Sequence, residues 1–440
     1  MQRRSGQPRL IQAMMDMFTL PDLRRKLLFT LGILVLFRFV SHVPLPGVDV
    51  AVLREFFAQN PLFGMLDLFG GGAMGRFSVA AMGVYPYITA SIIMQLLVPV
   101  IPALQSLSQQ GEAGQHKINL ITHVMTVPLA ALQGYSMLTL LRTQSPPIVG
   151  DLEPSATAAI ILSMTAGTIF LVWLGELITE RGIGNGISII IFAGIVASMP
   201  DMIGRGFIAA KDPIGLTTFI IVGLITLVLI VGFIEAHRRI PVQYARSTFR
   251  SGRMYRQSGS TYIPLRVNTA GMIPLIFAIA IMQLPATVAT YFMSPAGQDP
   301  NFWNSIYNVL RPDAALPVGL IYQFLYFFLV IGFTYFYTMI IFEQMNLPAT
   351  LQQQGGFIPG VRPGKQTSDY LSRVIKRITL GGALFLAFIA IVPFIAREIT
   401  GITALTISST ALLIAVGVAL DTMKQLEAQL TMRRYEGFLK

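Results

Sequence analysis

The side chains able to do acid–base, nucleophilic or metal chemistry are few and far apart. His42, His116, His123 and His237 are scattered without ligand spacing. The chain has no cysteine, which excludes disulfides and thiolate metal sites. No nucleophile–base pair, phosphate-binding glycine loop or metal motif is present, so the sequence reads as a non-enzyme with no cofactor and no metal ion. Glu176 and Glu235 stand at the ends of apolar stretches rather than deep inside them. A proton- or sodium-coupled carrier usually keeps carboxylates or unwound ion sites at depth. The polar side chains that do interrupt the apolar stretches are Thr89, Gln133 and Gln283. A buried glutamine in a helical bundle more often makes an interhelical hydrogen bond than binds a substrate.

The cations are concentrated. Residues 237–267 contain seven arginines, among them Arg250, Arg253 and Arg256, and no acid. Ile240, Val242 and Tyr244 alternate there, followed by Met254 and Tyr255, a pattern that predicts a short β-hairpin. A second basic loop, "QQQGGFIPGVRPGKQTSDY" (352–370), brackets Arg362 with Pro359, Gly360, Pro363 and Gly364, and Lys365 follows. Such turns stiffen a loop tip and hold an arginine outward. For the first loop two readings stand from composition: docking of an acidic or nucleic-acid partner, and anchoring to lipid headgroups. The stiff tip of the second leans toward docking.

The elements that must carry these loops are membrane helices. The 440 residues are 53% hydrophobic and 12% charged, about half the charged fraction of a soluble domain. Ten stretches approach the roughly 20 apolar residues a spanning helix needs: 25–43, 77–98, 119–140, 157–178, 184–200, 215–235, 268–292, 318–342, 378–396 and 402–420. Pro86, Pro128, Pro274, Pro285 and Pro393 fall inside them. The basic N-terminus and the two basic loops fall on one side of the bilayer with this count, and the positive-inside rule makes that side cytoplasmic, with both termini inside. No cleavable signal peptide is expected.

One segment contradicts a plain helix. "LFGGGAMGRFS" (68–78) is apolar enough to enter a membrane, yet carries Gly70, Gly71, Gly72, Gly75 and then Arg76. Just beyond it Val84 and Ile88 are four apart, and Ile187 and Ile191 repeat that spacing. Each pair shares one helix face, which by itself means no more than packing or lipid contact.

"AMGVYPYITASIIMQLL" (81–97), "LITERGIGNGISIIIFAGIVA" (177–197), "RRIPVQYA" (238–245), "AGMIPLIFA" (270–278) and "GGFIPGVRPGKQT" (355–367) resemble the SecY family of protein-conducting channels, bacterial members above all. The resemblance runs over nearly the whole chain and in the same order. It implies an all-α polytopic protein of the bacterial cytoplasmic membrane. Ten transmembrane helices would form two pseudo-symmetric inverted halves around a central pore: residues 1–200, a hinge loop at 201–213, residues 214–422 with cytoplasmic loops 236–267 and 343–377, and a cytoplasmic tail at 423–440. It implies an apolar pore ring at Val84, Ile88, Ile187, Ile191, Ile276 and Ile414, with valine at one position where isoleucine is usual. It makes 64–76 a plug, a short half-helix hinged on the glycines. A lateral gate would run between spans 2–3 and 7–8, with Thr89, Gln133 and Gln283 as its polar contacts. The implied partners are the SecA motor ATPase and the ribosome at Arg250, Arg253, Arg256, Arg362 and Lys365, the SecE and SecG subunits, precursor polypeptides and the bilayer. The implied activity is passage of unfolded polypeptides and lateral release of membrane segments. The alternative from the residues alone is a secondary transporter of small solutes.

Overall fold

The computed structural model describes residues 21–48, 52–53, 67, 70–142, 148–150, 153–209, 213–250, 253–271, 273–292, 294, 299–310, 317–400 and 414–429. In chain order these form α1 (Pro21–Val40), α2 (Tyr85–Leu97), α3 (Pro102–Ser108), α4 (Glu112–Arg142), α5 (Pro154–Arg181), α6 (Gly186–Ala209), α7 (Pro213–Glu235), β1 (His237–Arg250), β2 (Arg253–Arg266), α8 (Ile273–Phe292), α9 (Phe302–Leu310), α10 (Val318–Met345), α11 (Leu347–Gln353), β3 (Gly356–Phe357) and α12 (Lys365–Thr400). A last helix, α13, covers 414–429.

Most expected spans meet a helix, with informative departures. Taken singly, Pro154–Arg181, Val318–Gln353 and Lys365–Val392 have the length and hydropathy to cross a bilayer. The stretch expected at 77–98 does not form one helix. The chain runs in successive turns from Gly70 to Val84, and α2 begins only at Tyr85. At 13 residues α2 is about 20 Å long, short of a hydrocarbon core of about 30 Å. It is followed by α3 at a bend of 101°. Pro86 and Pro274 do not interrupt helices. They occupy the first turns of α2 and α8, where a missing N–H costs nothing. Pro128 and Pro285 do lie inside helices, as does Pro393 in α12.

The expected hinge loop is helical over 201–209, because α6 continues through Pro200 to Ala209; residues 210–212 lie outside the described residues. The tenth stretch is described only from Ile414, and its helix runs on to 429. The first part of the expected tail is therefore helical, and Leu426 packs with Leu23 of α1 and Ile183.

The chain divides into two compact units. The first comprises Met1–Ala209, Ala286–Asp313 and Ile414–Lys440, and the second Ala210–Pro285 and Ala314–Leu413. The division near 209 falls within the expected hinge, while 286–313 and 414–440 group with the first unit. In that unit Leu53, Met74, Phe77, Leu138 and Met164 share one core with Ala286. In the second, the base of the hairpin forms its own core, in which Ile240, Val242 and Leu265 pack on Phe342, Leu351 and Leu371. The hairpin is longer than expected, with 14 residues in each strand. Outward faces of α1, α4 and α7 carry exposed Val35, Phe39, Leu120, Val124, Leu224 and Val228, as helices bordered by lipid do. Helices in lipid associate through close packing rather than release of water, so small residues gather where backbones meet.

The "RGIGNG" turn between α5 and α6 shows this. The Ile183 amide donates to the Thr30 hydroxyl at 3.3 Å, the Gly186 amide to Thr179 Oγ1 at 2.9 Å, and the Ser188 amide to Asn185 Oδ1 at 3.1 Å. A Cβ on Gly186 would land on the Gly175 carbonyl, and one on Gly175 would come within 2.8 Å of Ile187 Cγ1. Neither helix backbone can yield easily. Replacing Gly186 with Ala is expected to destabilise the first unit by about 1–3 kcal/mol, read as a lower Tm in detergent. Gly204→Ala, with open space around it, is the control and should leave Tm within the error.

Candidate functional site

The broken entry to α2 is the most unusual local structure. Gly71 and Gly72 have φ of 68° and 79°, and the buried Phe77 has φ 47°. This region favours glycine and cannot continue a right-handed helix. Within the expected plug segment, Gly70 to Arg76 runs in turns and Asp67 just before them is helical; residues 64–66 and 68–69 lie outside the described residues.

The turns satisfy their own polar backbone and are pinned from several sides. The Asp67 carboxylate accepts from the amides of Met74 and Gly75 at 2.8 and 2.9 Å. A Cβ on Gly75 would meet Asp67 Oδ2 at 2.9 Å. The segment after α1 runs beside the turn. The Leu45 amide donates to the Phe77 carbonyl at 2.8 Å and the Val79 amide to the Val43 carbonyl at 3.0 Å, and Pro44 bridges Ser78. Arg38 Nη1 donates to the Gly71 carbonyl at 2.6 Å. Arg76 Nη1 lies 2.6 Å from His42 Nε2. Sequence reasoning missed Arg38, His42 and Asp67. Only their proximity in space marks them, since Arg38 and Gly71 are 33 residues apart.

The candidate ring positions fall in both units. Val84, Ile88, Ile187, Ile191 and Ile414 belong to the first, and Ile276 to the second. Val84 caps α2, its carbonyl accepting from the Ile88 amide at 3.1 Å. Val84, Ile88, Ile191 and Ile414 are buried. Ile187 is half-buried and presses on Gly175 of α5, and Ile276 is half-buried on α8.

The three candidate gate residues differ in how their polar atoms are used. Thr89 is buried, and its hydroxyl donates to the Tyr85 carbonyl at 3.1 Å within its own helix. Gln283 is 2% exposed, and neither of its amide atoms has a hydrogen-bond partner among the described residues; the same holds for Gln133 Oε1. A buried amide left unpaired costs about 1–3 kcal/mol, so these groups are poised for a partner. A second polar cluster escaped the sequence: His123 Nε2 lies 3.1 Å from Glu176 Oε1, with the Tyr87 ring edge-on to His123 at 5.4 Å. It joins three helices, and no spacing along the chain announces it.

The two basic loops are physically joined. β3 pairs with β1 through Gln243–Phe357 and Tyr244–Gly356, so the loop before α12 extends the hairpin sheet in the order β2-β1-β3. Arg362 is exposed on the turn after β3, and its carbonyl accepts from Thr367 Oγ1 at 2.9 Å. Gly360 and Gly364 on either side have φ of 82° and 101°. Lys365 begins α12 and is exposed. The register places Arg250 opposite Arg253 at the hairpin end, and Arg256 opposite Ser247.

A helical membrane protein with an interrupted span, a three-stranded sheet carrying basic residues and, among the described residues, no metal-binding cluster has the makings of a channel. The chain belongs to the SecY family, whose sequence signature matches residues 78–423. It is 43% identical over 448 residues to the protein translocase subunit SecY of Streptomyces lividans, covering 98% of this chain and 100% of the relative. Its fold matches a SecY protein described as having a plug domain that stabilises the closed state and maintains a membrane seal, with TM-score 0.67, 18% identity and 92% of each chain covered. It also matches Sec61 of the canine ribosome–channel complex from the endoplasmic reticulum, with TM-score 0.65, 17% identity and 92% of each chain covered.

The geometry around Gly71 separates two neighbouring glycines. A Cβ at 71 would sit 3.0 Å from Gly194 Cα and 3.3 Å from Phe37 Cζ, whereas at 72 it meets nothing nearer than Arg76 Cζ at 4.0 Å. Gly72→Ala should weaken the turn by about 1 kcal/mol through backbone strain alone, and Gly71→Ala by about 2–3 kcal/mol through strain plus overpacking. Hydrogen exchange at the amides of Phe77 and Ser78 measures both. Equal effects of the two substitutions would contradict this packing.

Proposed function

We propose that the chain is the channel subunit of a bacterial Sec translocase, passing unfolded polypeptides across the cytoplasmic membrane and releasing membrane segments sideways. The full-length kinship with translocase subunits carries this reading, and the small-solute carrier loses ground to it. Ten spans, both termini cytoplasmic, form two inverted halves around the pore, with the hinge near 201–213.

Val84, Ile88, Ile187, Ile191, Ile276 and Ile414 form the ring. A dry apolar collar yields around a passing chain and closes by dewetting, whereas a polar collar would conduct ions at rest. The segment 64–76 is the plug, and its tie to Arg38 of α1 and to His42 just beyond that helix supports a seated, closed position. Thr89, Gln133 and Gln283 serve the lateral gate. The unpartnered amide of Gln283 and Oε1 of Gln133 support this, since a gate closed by few hydrogen bonds tips when an apolar signal segment inserts.

The basic sheet is the docking surface. Arg250, Arg253, Arg256, Arg362 and Lys365 engage the SecA motor or the ribosome, an inference supported by the ribosome-bound state of the Sec61 relative. SecE and SecG complete the complex. The energy comes from the partner ATPase or the ribosome.

Two measurements test the reading. In planar bilayers, deletion of 64–73, and separately Ile191→Ser with Ile276→Ser, should raise the resting ion conductance about tenfold or more; unchanged conductance in both would remove the plug and ring assignments. In vesicles with the partner subunits, Arg362→Glu should abolish ATP-dependent protection of a secretory precursor while the protein remains inserted. Protection at the wild-type level would remove the docking role, and small-solute uptake with no protection in the unsubstituted complex would favour a carrier.

A further inference from the structure

The end of α1 and the turn that follows it meet the 70–78 segment through two cationic contacts, and one of them runs through a histidine just beyond the helix. His42 Nδ1 lies 2.7 Å from the Arg38 carbonyl oxygen, which only accepts, so Nδ1 carries a proton. Nε2 lies 2.6 Å from Arg76 Nη1, which only donates, so Nε2 is bare. Both bonds are made together only by neutral imidazole in this one tautomer. A proton on Nε2 would oppose two donors and place imidazolium beside guanidinium. The ring is exposed, so water can deliver that proton, and histidine is the side chain whose charge changes in the physiological range.

The charged groups in contact with His42 among the described residues are Arg38 from the end of α1 and Arg76 from the facing turn. Asp67 accepts from the amides of Met74 and Gly75 through Oδ1. Arg38 holds the start of the turn at Gly71, and Arg76 is its last cation before the bridge at Ser78. The two contacts therefore grip both ends of one segment.

We propose that Arg38 and His42 are positioning residues for the 70–78 turn, and that protonation of His42 releases its Arg76 end. The inference rests on the plug reading for its consequence, an acid-sensitive seal on the outer side, but the latch itself is a property of the turn. Acidification outside is the direction in which an energised membrane drives it, so the latch would loosen where protons accumulate.

The test uses the complete translocase complex in vesicles and planar bilayers. Hydrogen exchange of residues 70–78 is compared between the unsubstituted protein and His42→Gln at the same pH, so that intrinsic exchange cancels. Glutamine reaches about as far as Nε2 and accepts from Arg76 at every pH. At pH 8 the two should exchange alike, and at pH 5.5 the unsubstituted turn should exchange about fivefold faster. Arg76→Gln gives the opposite sign. Its amide oxygen can accept from imidazolium, so acid should leave exchange unchanged or slow it. Conductance at outer pH 5.5 should rise about fivefold in the unsubstituted channel and not in His42→Gln. An acid response of the same size in His42→Gln, or none in the unsubstituted protein, overturns the latch. Acid-dependent exchange without any change in conductance, together with no leak after deletion of 64–73, overturns the plug reading and leaves the latch standing.

Discussion

A backbone amide or carbonyl that enters an apolar phase must bring its hydrogen-bond partner with it. The unusual backbone of this chain answers to that constraint. Helices meet it internally, which is why apolar sequence over most of the chain becomes helix without further instruction. The stretch from Gly70 to Val84 cannot, because Gly71, Gly72, Phe77 and Gly83 sit at positive φ. Its groups are met by turn hydrogen bonds, by the Asp67 carboxylate, by Arg38 and by the segment 43–45. Non-helical backbone is thereby held in a definite shape inside a helical protein. Such a shape depends on a few side chains and can change when they do.

Close packing provides the rigid frame on which this segment acts. Around the turn joining α5 and α6, Gly175 and Gly186 bring two backbones together with no room for a methyl group. The hydroxyls of Thr30 and Thr179 take up the amides exposed there. The same turn receives α13, through Ile183, Leu426 and Leu23. A hydroxyl that accepts from a neighbouring segment while donating along its own helix adds specificity without a buried charge. This frame is packed without slack, whereas the shape of the 70–84 segment depends on a few side-chain hydrogen bonds.

The basic loops follow different physics. Their cations would be costly in lipid and are carried instead on a sheet with its own apolar base, Ile240 and Val242 packed on Leu351 and Leu371. Two loops more than a hundred residues apart share that sheet through β3. Arg362 gains a fixed bearing from the strand before it and the helix after it.

Much was legible from the sequence. Apolar periodless runs, placement of arginine, and alternation at Ile240, Val242 and Tyr244 depend on nearest neighbours and on solvent, and they foretold helices, basic loops and a hairpin. The glycines at 70–75 signalled a break for the same local reason. What they could not convey was its form. Residues 70–84 are a chain of turns, fixed by the Asp67 carboxylate just before them and by Arg38, His42 and Val43 on a distant segment. Nor could spacing reveal the extension of α6 through Pro200, the joining of β3 to the hairpin, or the pairing of His123 with Glu176, since each depends on contacts between distant segments. Residue type and local order thus determined what kind of element each stretch becomes and which phase it enters. Tertiary structure alone decided which polar groups meet, because a hydrogen bond depends on ångström-scale distances that only the folded chain sets.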